Sequence, residues 1–218
     1  MKRSDWNRYW ARSRGGRFTK ASWSKRRILA LLDPYLTPGA RVLDAGCGSG
    51  FFSAVFVEKG CRVTVLDLAE EALDLAREAT GGRADAYIQE DLLDAAFGAR
   101  HGEAFDLIFS DGLFEHFLPE NQERIAGNMV ASLGPGGRVA TLVPNALSPW
   151  RLIRPLVMPG IFEVPLRRGR LREIHRALEI EREGGLNVLP FGPSPERILG
   201  PRFGMLLYLI GRKKEGAS

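Results

Sequence analysis

The stretch that decides the fold is RVLDAGCGSG, residues 41–50. Its apolar start, Val42 and Leu43, predicts a buried parallel strand. Three glycines follow at alternate positions and predict a turn at the carboxyl end of that strand, because glycine adopts positive φ and lets other groups approach the backbone. Apolar residues at helical spacing resume at Phe51. A strand, a glycine turn and a helix N-terminus together are typical of the nucleotide cradle of α/β folds.

The glycine spacing indicates which nucleotide the turn binds. In the dinucleotide fingerprint G-x-G-x-x-G the third glycine would fall at position 51, whereas here it is Gly50. The pattern D-x-G-x-G-x-G resembles motif I of the class I S-adenosylmethionine (SAM) dependent methyltransferases. This resemblance implies that the turn binds SAM and that S-adenosylhomocysteine (SAH) is the product. The residues it assigns to the methionine end of the cofactor are Asp44, Ala45, Gly46, Cys47, Gly48 and Gly50.

Further cofactor contacts are predicted after the next three strands. Asp67 ends the second predicted strand, where a fixed carboxylate can accept both ribose hydroxyls, although it is also placed to cap the following helix. Its neighbour Leu68 is assigned to the same set. In the methyltransferase family an acid and an apolar residue after the third strand contact the adenine, and Asp91 and Leu92 match them. Ser110, after the predicted fourth strand, completes the cofactor set.

The segment LFEHF, residues 113–117, resembles the family's segment beside the methyl group of SAM. His116 is the candidate catalytic residue, because an imidazole can remove a proton from a hydroxyl near neutral pH. A role in packing or in lining the substrate site is the alternative. Neighbouring helical side chains point about 100° apart, so Glu115 and His116 converge only if the chain is irregular. We predict no metal site; the candidate substrate-binding residues are Trp10, Glu115, Asn145 and Trp150.

A second family match, the turn L-x-P-G-G at 133–137, precedes the predicted fifth strand. The resemblance implies a single Rossmann-like α/β domain with a mixed seven-stranded sheet, helices on both faces and an antiparallel last strand. We expect a basic N-terminal helical cap (1–35), a SAM-binding core (36–145), an inserted lid after strand five (146–170) and a C-terminal unit (171–214). Within that unit the pattern predicts a helix over 171–183 and a strand over 186–189.

Composition limits the partners. Residues 1–27 hold ten Lys and Arg against one Asp, and residues 151–176 hold seven Arg against two Glu. Such basic segments favour phosphates, carboxylates, anionic lipid surfaces or RNA, although a solvated face is equally compatible. The two cysteines, Cys47 and Cys61, lack metal-site spacing and are expected to be reduced and structural. No apolar run approaches the ~20 residues of a membrane span, and no secretory signal is recognisable, so we expect a cytoplasmic protein.

The function implied is transfer of the SAM methyl group to a small acceptor, anionic or lipid-like, at oxygen, nitrogen or carbon. Peripheral contact with a membrane surface is compatible with the apolar and Arg-rich stretch 146–169. Two alternatives stay open: an RNA methyltransferase that uses the basic N-terminal segment, and a SAM-binding protein without transferase activity. Residues 110–113 match neither the Asn/Asp-Pro-Pro-aromatic run of amine-methylating nucleic-acid enzymes nor the Pro-Cys pair of C5-cytosine enzymes. The sequence does not predict the oligomeric state.

Overall fold

A computed structural model describes residues 3–13, 20–152, 163–189 and 191–214. Its centre is one seven-stranded sheet of order β3-β2-β1-β4-β5-β7-β6. The pairs among the first five strands are parallel, whereas β7 runs antiparallel to both β5 and β6. The predicted Rossmann-like sheet with an antiparallel last strand is therefore confirmed. The strands are β1 (Arg41–Ala45), β2 (Arg62–Asp67), β3 (Ala86–Gln89), β4 (Phe105–Asp111), β5 (Leu133–Pro144), β6 (Leu178–Leu186) and β7 (Leu206–Lys213).

Helices cover both faces of the sheet, and the central strands β1, β4 and β5 are largely buried on both sides. Val42 belongs to one apolar cluster and its neighbour Leu43 to another, as expected when alternate residues of a strand face opposite ways. Helices α2 to α4 pack on the first cluster, and α5 to α7 on the second. The described α-helices are α1 (Arg3–Ser13), α2 (Trp23–Leu32), α3 (Phe51–Glu58), α4 (Glu70–Thr80), α5 (Phe97–Arg100), α6 (Pro119–Ser132), α7 (Arg168–Ile174) and α8 (Glu196–Phe203).

The C-terminal unit differs from the predicted order of elements. The helix predicted over 171–183 ends at Ile174, and a strand, β6, occupies Leu178–Leu186. Gly184 and Gly185, which directly follow the predicted helix, lie inside this strand. A Cβ on Gly185 would be 2.0 Å from the carbonyl oxygen of Gly200, so glycine is needed for β6 to contact α8. The helix over 175–183 and the strand over 186–189 are wrong.

Two of the predicted appendages are described only in part. In the N-terminal region α1 and α2 are helical, and a 3-10 turn, Asp33–Tyr35, follows α2. After β5 the chain forms a 3-10 turn, Pro149–Leu152, and it later pairs Leu166 with Asn145 in a parallel bridge. The middle of the predicted lid, 153–162, lies outside the described residues, so the lid and the four-part division stay predictions.

Candidate cofactor and acceptor site

The glycine turn opens onto a cavity of about 460 Å³ at the carboxyl ends of β1, β2 and β4. The backbone N–H groups of Gly46 and Cys47 both donate to the carbonyl of Leu66, at 2.8 and 3.0 Å, which ties the turn to the end of β2. Helix α3 then begins directly after Gly50. A strand, a turn and a helix start thus occur in the order predicted from 41–50.

Most of the predicted cofactor residues line this cavity. Asp44, Gly46, Cys47, Gly48, Asp67, Leu68, Asp91 and Leu92 all border it.

The structure places three others, Ala45, Gly50 and Ser110, outside the cavity wall. Ala45 and Ser110 are fully buried within the sheet, where Ser110 lies opposite Thr141 of β5. Gly50 serves packing, because a Cβ there would be 2.4 Å from the Cα of Ala76 in α4. Helix packing and the left-handed backbone of Gly50, with a φ of +69°, thus both explain the glycine at this position of motif I.

Asp44 is a buried carboxylate held by one hydroxyl. Its Oδ2 accepts a hydrogen bond of 2.5 Å from Ser53 Oγ of α3. Burial raises the pKa of Asp44 to about 7, although the Ser53 bond opposes that rise, and the charges of Asp111 and Asp67 add to it. A carboxylate in this position is stabilised in its ionised form by a nearby cation.

Asp67 ties the turn to the start of α4. Its Oδ2 accepts from the N–H of Gly48 at 3.1 Å, and its Oδ1 accepts from the N–H of Ala69 at 2.9 Å. Burial raises the pKa of Asp67, and these two backbone bonds oppose the rise. Each carboxylate oxygen has a second lone pair, so Asp67 can still accept bonds from a bound ligand. The ribose and capping interpretations are therefore compatible in one residue.

Helix α1 forms a wall over the turn. Its aromatic residues Trp6, Tyr9 and Trp10 all line the cavity. The Trp10 ring lies so close to Gly48 that a Cβ there would be 2.5 Å from Cζ2. Trp6 packs edge to face on His116, with ring centroids 4.7 Å apart and planes at 78°. The N-terminal aromatics thus belong to the site, not only to the core.

The end of the cavity beyond the glycine turn carries Glu115 and His116. Both lie in a 3-10 turn, Phe114–His116, and this irregularity lets the two neighbours converge. One ligand atom from each, together with one from Glu163, lies within 4.8 Å of the others. The backbone bond from Val164 N–H to Glu115 carbonyl, 2.9 Å, holds the two segments together. Two carboxylates and an imidazole are ligand types that suit a divalent cation, so the prediction of no metal site stays a prediction.

The other two predicted substrate residues also border the cavity, in different ways. Asn145 is buried, and its amide is engaged: Nδ2 donates to the Gly204 carbonyl at 2.9 Å, and Oδ1 accepts from Leu147 N–H at 3.0 Å. These bonds hold the start of the post-β5 segment against the approach to β7. Trp150 lies in the 3-10 turn after β5 and faces both this cavity and a smaller neighbour.

Sequence reasoning missed Lys25, Asp111 and Glu163. Among the described residues that line this cavity, Lys25 is the one Lys or Arg. Its Nζ lies 3.9 Å above the centre of the Phe51 ring. Burial lowers the pKa of Lys25 to about 8, and the nearby charge of Asp111 opposes this shift. Burial raises the pKa of Asp111 to about 6, and the charge of Lys25 opposes that rise. Asp111 was findable as the acid that ends β4, whereas Lys25 depends on how α2 packs.

Comparison with known proteins agrees with this geometry. A family model described as a methyltransferase domain matches residues 42–137, the segment from β1 through the start of β5. This segment, somewhat less than half of the chain, is therefore similar to a methyltransferase domain. This similarity supports the expectation that SAM is the cofactor and SAH the product. SAM offers a sulfonium, an ammonium, ribose hydroxyls and an adenine amine, and the buried acids Asp44 and Asp67 are acceptors suited to such cations and donors.

Curated proteins to which the chain is similar include O-methyltransferases. The chain is 34% identical over 127 residues to a malonyl-[acyl-carrier protein] O-methyltransferase of Pectobacterium atrosepticum, which is 57% of this chain and 47% of that protein. It is 39% identical over 106 residues to a ubiquinone biosynthesis O-methyltransferase of Xylella fastidiosa, 46% of this chain and 40% of the relative. The chain thus matches less than half the length of these curated relatives.

The same fold is seen in the N-methyltransferase NodS of Bradyrhizobium japonicum in complex with SAH. The TM-score is 0.69 at 18% identity, with 96% of this chain and 99% of NodS covered.

Proposed function

We propose that this protein is a methyltransferase that moves a methyl group from SAM to an oxygen atom of a small-molecule acceptor. One observation carries the proposal: acids at the ends of neighbouring strands, Asp44, Asp67 and Asp91, surround the cavity into which the glycine turn opens. The two relatives that act on oxygen support the choice of atom. When bound, SAM supplies a methyl group already activated on its sulfonium.

The cofactor would lie along the row of strand ends. Asp44 would face the methionine end, where a cation stabilises its ionised form. Asp67 would accept from the ribose hydroxyls, since its remaining lone pairs point away from the two backbone donors that fix it. Asp91 would accept from the adenine amine and Leu92 would contact the ring, because both line the cavity and Asp91 is exposed whereas Leu92 is buried.

The chain's own contribution to the reaction would be positioning and proton removal. His116 would take the proton from an acceptor hydroxyl, and the Trp6 ring, whose centroid lies 4.7 Å from that of His116, limits how the imidazole can turn. Glu115, 1% exposed, lies beside it and can orient the imidazole or stabilise its charged form. If the acceptor is a carboxylate, no proton needs to be removed, and His116 would then only line the site.

Asp67→Ala tests the cofactor assignment. Loss of the charge-assisted bonds should weaken SAM binding by about 1–3 kcal/mol, measured by titration calorimetry. Glu58→Gln, on the exposed side of α3, is the matched control and should bind SAM like the wild type. Unchanged affinity in a folded Asp67→Ala protein would reject the ribose assignment.

A labelled-methyl assay tests the transfer itself. Radiolabelled SAM is incubated with separate metabolite, lipid and RNA fractions, and the methylated atom is identified by mass spectrometry. Product in the metabolite or lipid fraction, methylated at oxygen, supports the proposal, and His116→Gln should slow it if the acceptor is a hydroxyl. Product in RNA alone, or SAM binding with no product in any fraction, supports the corresponding alternative instead.

A further inference from the structure

A second cavity of about 340 Å³ lies beside the cofactor cavity. Its apolar walls are Trp23 at the start of α2, Trp150 after β5, Phe191 before α8 and Met205 before β7. Four residues border both cavities and form the boundary between them; they are Ser22, Ser24, Trp150 and Met205. The second cavity therefore continues the first, on the side where the chain after β5 meets the N-terminal helices.

The two cavities differ sharply in charge. Seven carboxylate residues line the cofactor cavity, whereas no charged side chain of the described residues lines the second. The polar groups of the second cavity are already used within its wall. Asn187 Nδ2 donates to Ser24 Oγ at 2.7 Å, and Ser22 Oγ caps α2 by accepting from the N–H of Lys25. A ligand in this cavity would meet chiefly aromatic rings and a thioether.

The wall is fixed by a network centred on Arg27. Its Nη1 donates to Asn187 Oδ1 at 2.8 Å and to the Leu189 carbonyl at 2.9 Å, and its Nη2 donates to the Gly192 carbonyl. Its Nε lies 3.2 Å from a carboxylate oxygen of Glu196.

Asn187 itself has a φ of +64°, a conformation that costs energy for any residue but glycine. Arg27 of α2 thus bonds to residues on both sides of Phe191, namely Leu189 and Gly192, although Phe191 itself is 74% exposed.

We propose that the second cavity is an acceptor subsite that holds a hydrocarbon chain. This inference rests on the proposed function and adds the substrate class: the acceptor is an amphiphile whose oxygen lies in the cofactor cavity. An aromatic wall with no available charge stabilises methylene groups and offers nothing to a second polar group. The exposed rings of Trp23 and Phe191 at the rim give such a chain an apolar path from solvent.

The test uses 4-ethyl-, 4-butyl- and 4-hexylphenol as probes, which share a hydroxyl head and differ only in chain length. Their binding to the SAH-loaded protein is measured by titration calorimetry. Affinity should rise about two- to fourfold for each added methylene in the wild type. Phe191→Ala and Trp23→Ala should flatten this dependence and leave SAH affinity unchanged. Ile198→Ala is the control, because Ile198 is apolar, 82% exposed and lies on α8 outside both cavities. This variant should keep the wild-type dependence of affinity on chain length.

Two results would overturn the subsite. One is an affinity that does not change with chain length, or no binding of any probe, in protein that binds SAH normally. The other is a chain-length dependence that survives both substitutions. Either result leaves the proposed function standing, because oxygen methylation is scored independently by the labelled-methyl assay. Conversely, absence of any methylated oxygen in that assay rejects the function even where the probes bind.

Discussion

The indole of Trp10 lies against the Cα of Gly48, so that a methyl group at position 48 would meet its Cζ2 at 2.5 Å. This contact joins the first described helix to the motif that is predicted to bind the cofactor. It also explains two sequence features at once: glycine at position 48, and an aromatic residue at position 10. Because Gly48 N–H donates to Asp67, displacement of Trp10 and distortion of the turn are coupled to the predicted ribose site.

Gly48→Ala should weaken SAM binding at least tenfold. The alanine must keep a φ of +52° and must push the Trp10 ring aside, which removes part of the cavity wall. Calorimetry with SAM gives the affinity. Gly82→Ala is the matched control, since Gly82 has a φ of +71° but no atom near its added Cβ. Adding Trp10→Ala to Gly48→Ala should recover part of the loss; wild-type affinity in Gly48→Ala alone would contradict the contact.

Local signals were sufficient for the centre of the fold. Apolar runs, the glycine turn and the acids after each strand predict β1 to β4, and most of the cofactor residues predicted from them do line the cavity, because each signal is carried by adjacent residues. The pair Gly184 and Gly185 misled for the opposite reason. In isolation it indicates a helix end, but in the structure Gly185 contacts Gly200, and a Cβ on Gly184 would meet the Tyr208 ring at 2.8 Å. Such requirements come from contacts distant in sequence.

The candidate site shows the same contrast between residues that local sequence signals predict and residues that only distant contacts bring together. Asp44, Asp67 and Asp91 were found from position in a motif or at a strand end. Lys25, near the start of α2, reaches the cavity only through the packing of that helix, which brings it near Asp111 at the end of β4, and no local pattern distinguishes it from the basic residues around it. Glu163 is brought to Glu115 by one backbone bond between distant segments.

The buried carboxyl of Asp44 predicts a pH-dependent stability. Its pKa in the folded protein, about 7, is above its value in the unfolded chain because of burial. The folded state therefore holds this proton more tightly, and the contribution is present at low pH and lost as pH rises through about 7. We compare the free energy of unfolding of the wild type with that of Asp44→Asn. The wild-type value minus the variant value should fall by about 2 kcal/mol between pH 5 and 8. Urea titrations without ligand give this difference.

The positive charge of bound SAM should stabilise the protein more at high pH than at low pH, which is opposite to the effect of the Asp44 proton. SAM carries the sulfonium and SAH does not, so SAM should raise the melting temperature more at pH 8, where Asp44 is ionised, than at pH 5. SAH should show a smaller change over the same range. Equal pH dependence for the two ligands would mean that Asp44 does not face the sulfonium end.

The pKa of Asp111 should depend on the charge of Lys25. The ammonium lowers the pKa of Asp111 below the value that burial alone would give, so Lys25→Met should raise that pKa above about 6. The side-chain carboxyl of Asp111 can be followed by carbon-detected NMR across pH 4–9. Lys59→Met, which removes the surface partner of Asp33, is the control and should leave the Asp111 titration unchanged. An unshifted Asp111 in Lys25→Met would show that the two charges do not interact.

His175 is a buried histidine whose replacement should stabilise the protein. Among the described residues neither ring nitrogen has a hydrogen-bond partner, and the ring packs on Phe114 with centroids 5.4 Å apart. Burial lowers the pKa of His175 to about 4, so the unfolded chain binds its proton first, and stability is lost as pH falls below about 6.5. His175→Leu removes this dependence and the desolvated polar atoms.

The stabilisation by His175→Leu should therefore be larger at low pH. We expect about 1 kcal/mol at pH 8 and on the order of 3 kcal/mol at pH 5, from urea unfolding at both values. The slope of unfolding free energy with urea should not change, since the fold is the same. A variant less stable than the wild type at pH 5 would mean that the imidazole is solvated or bonded in solution, and that the apolar packing on Phe114 does not describe its surroundings.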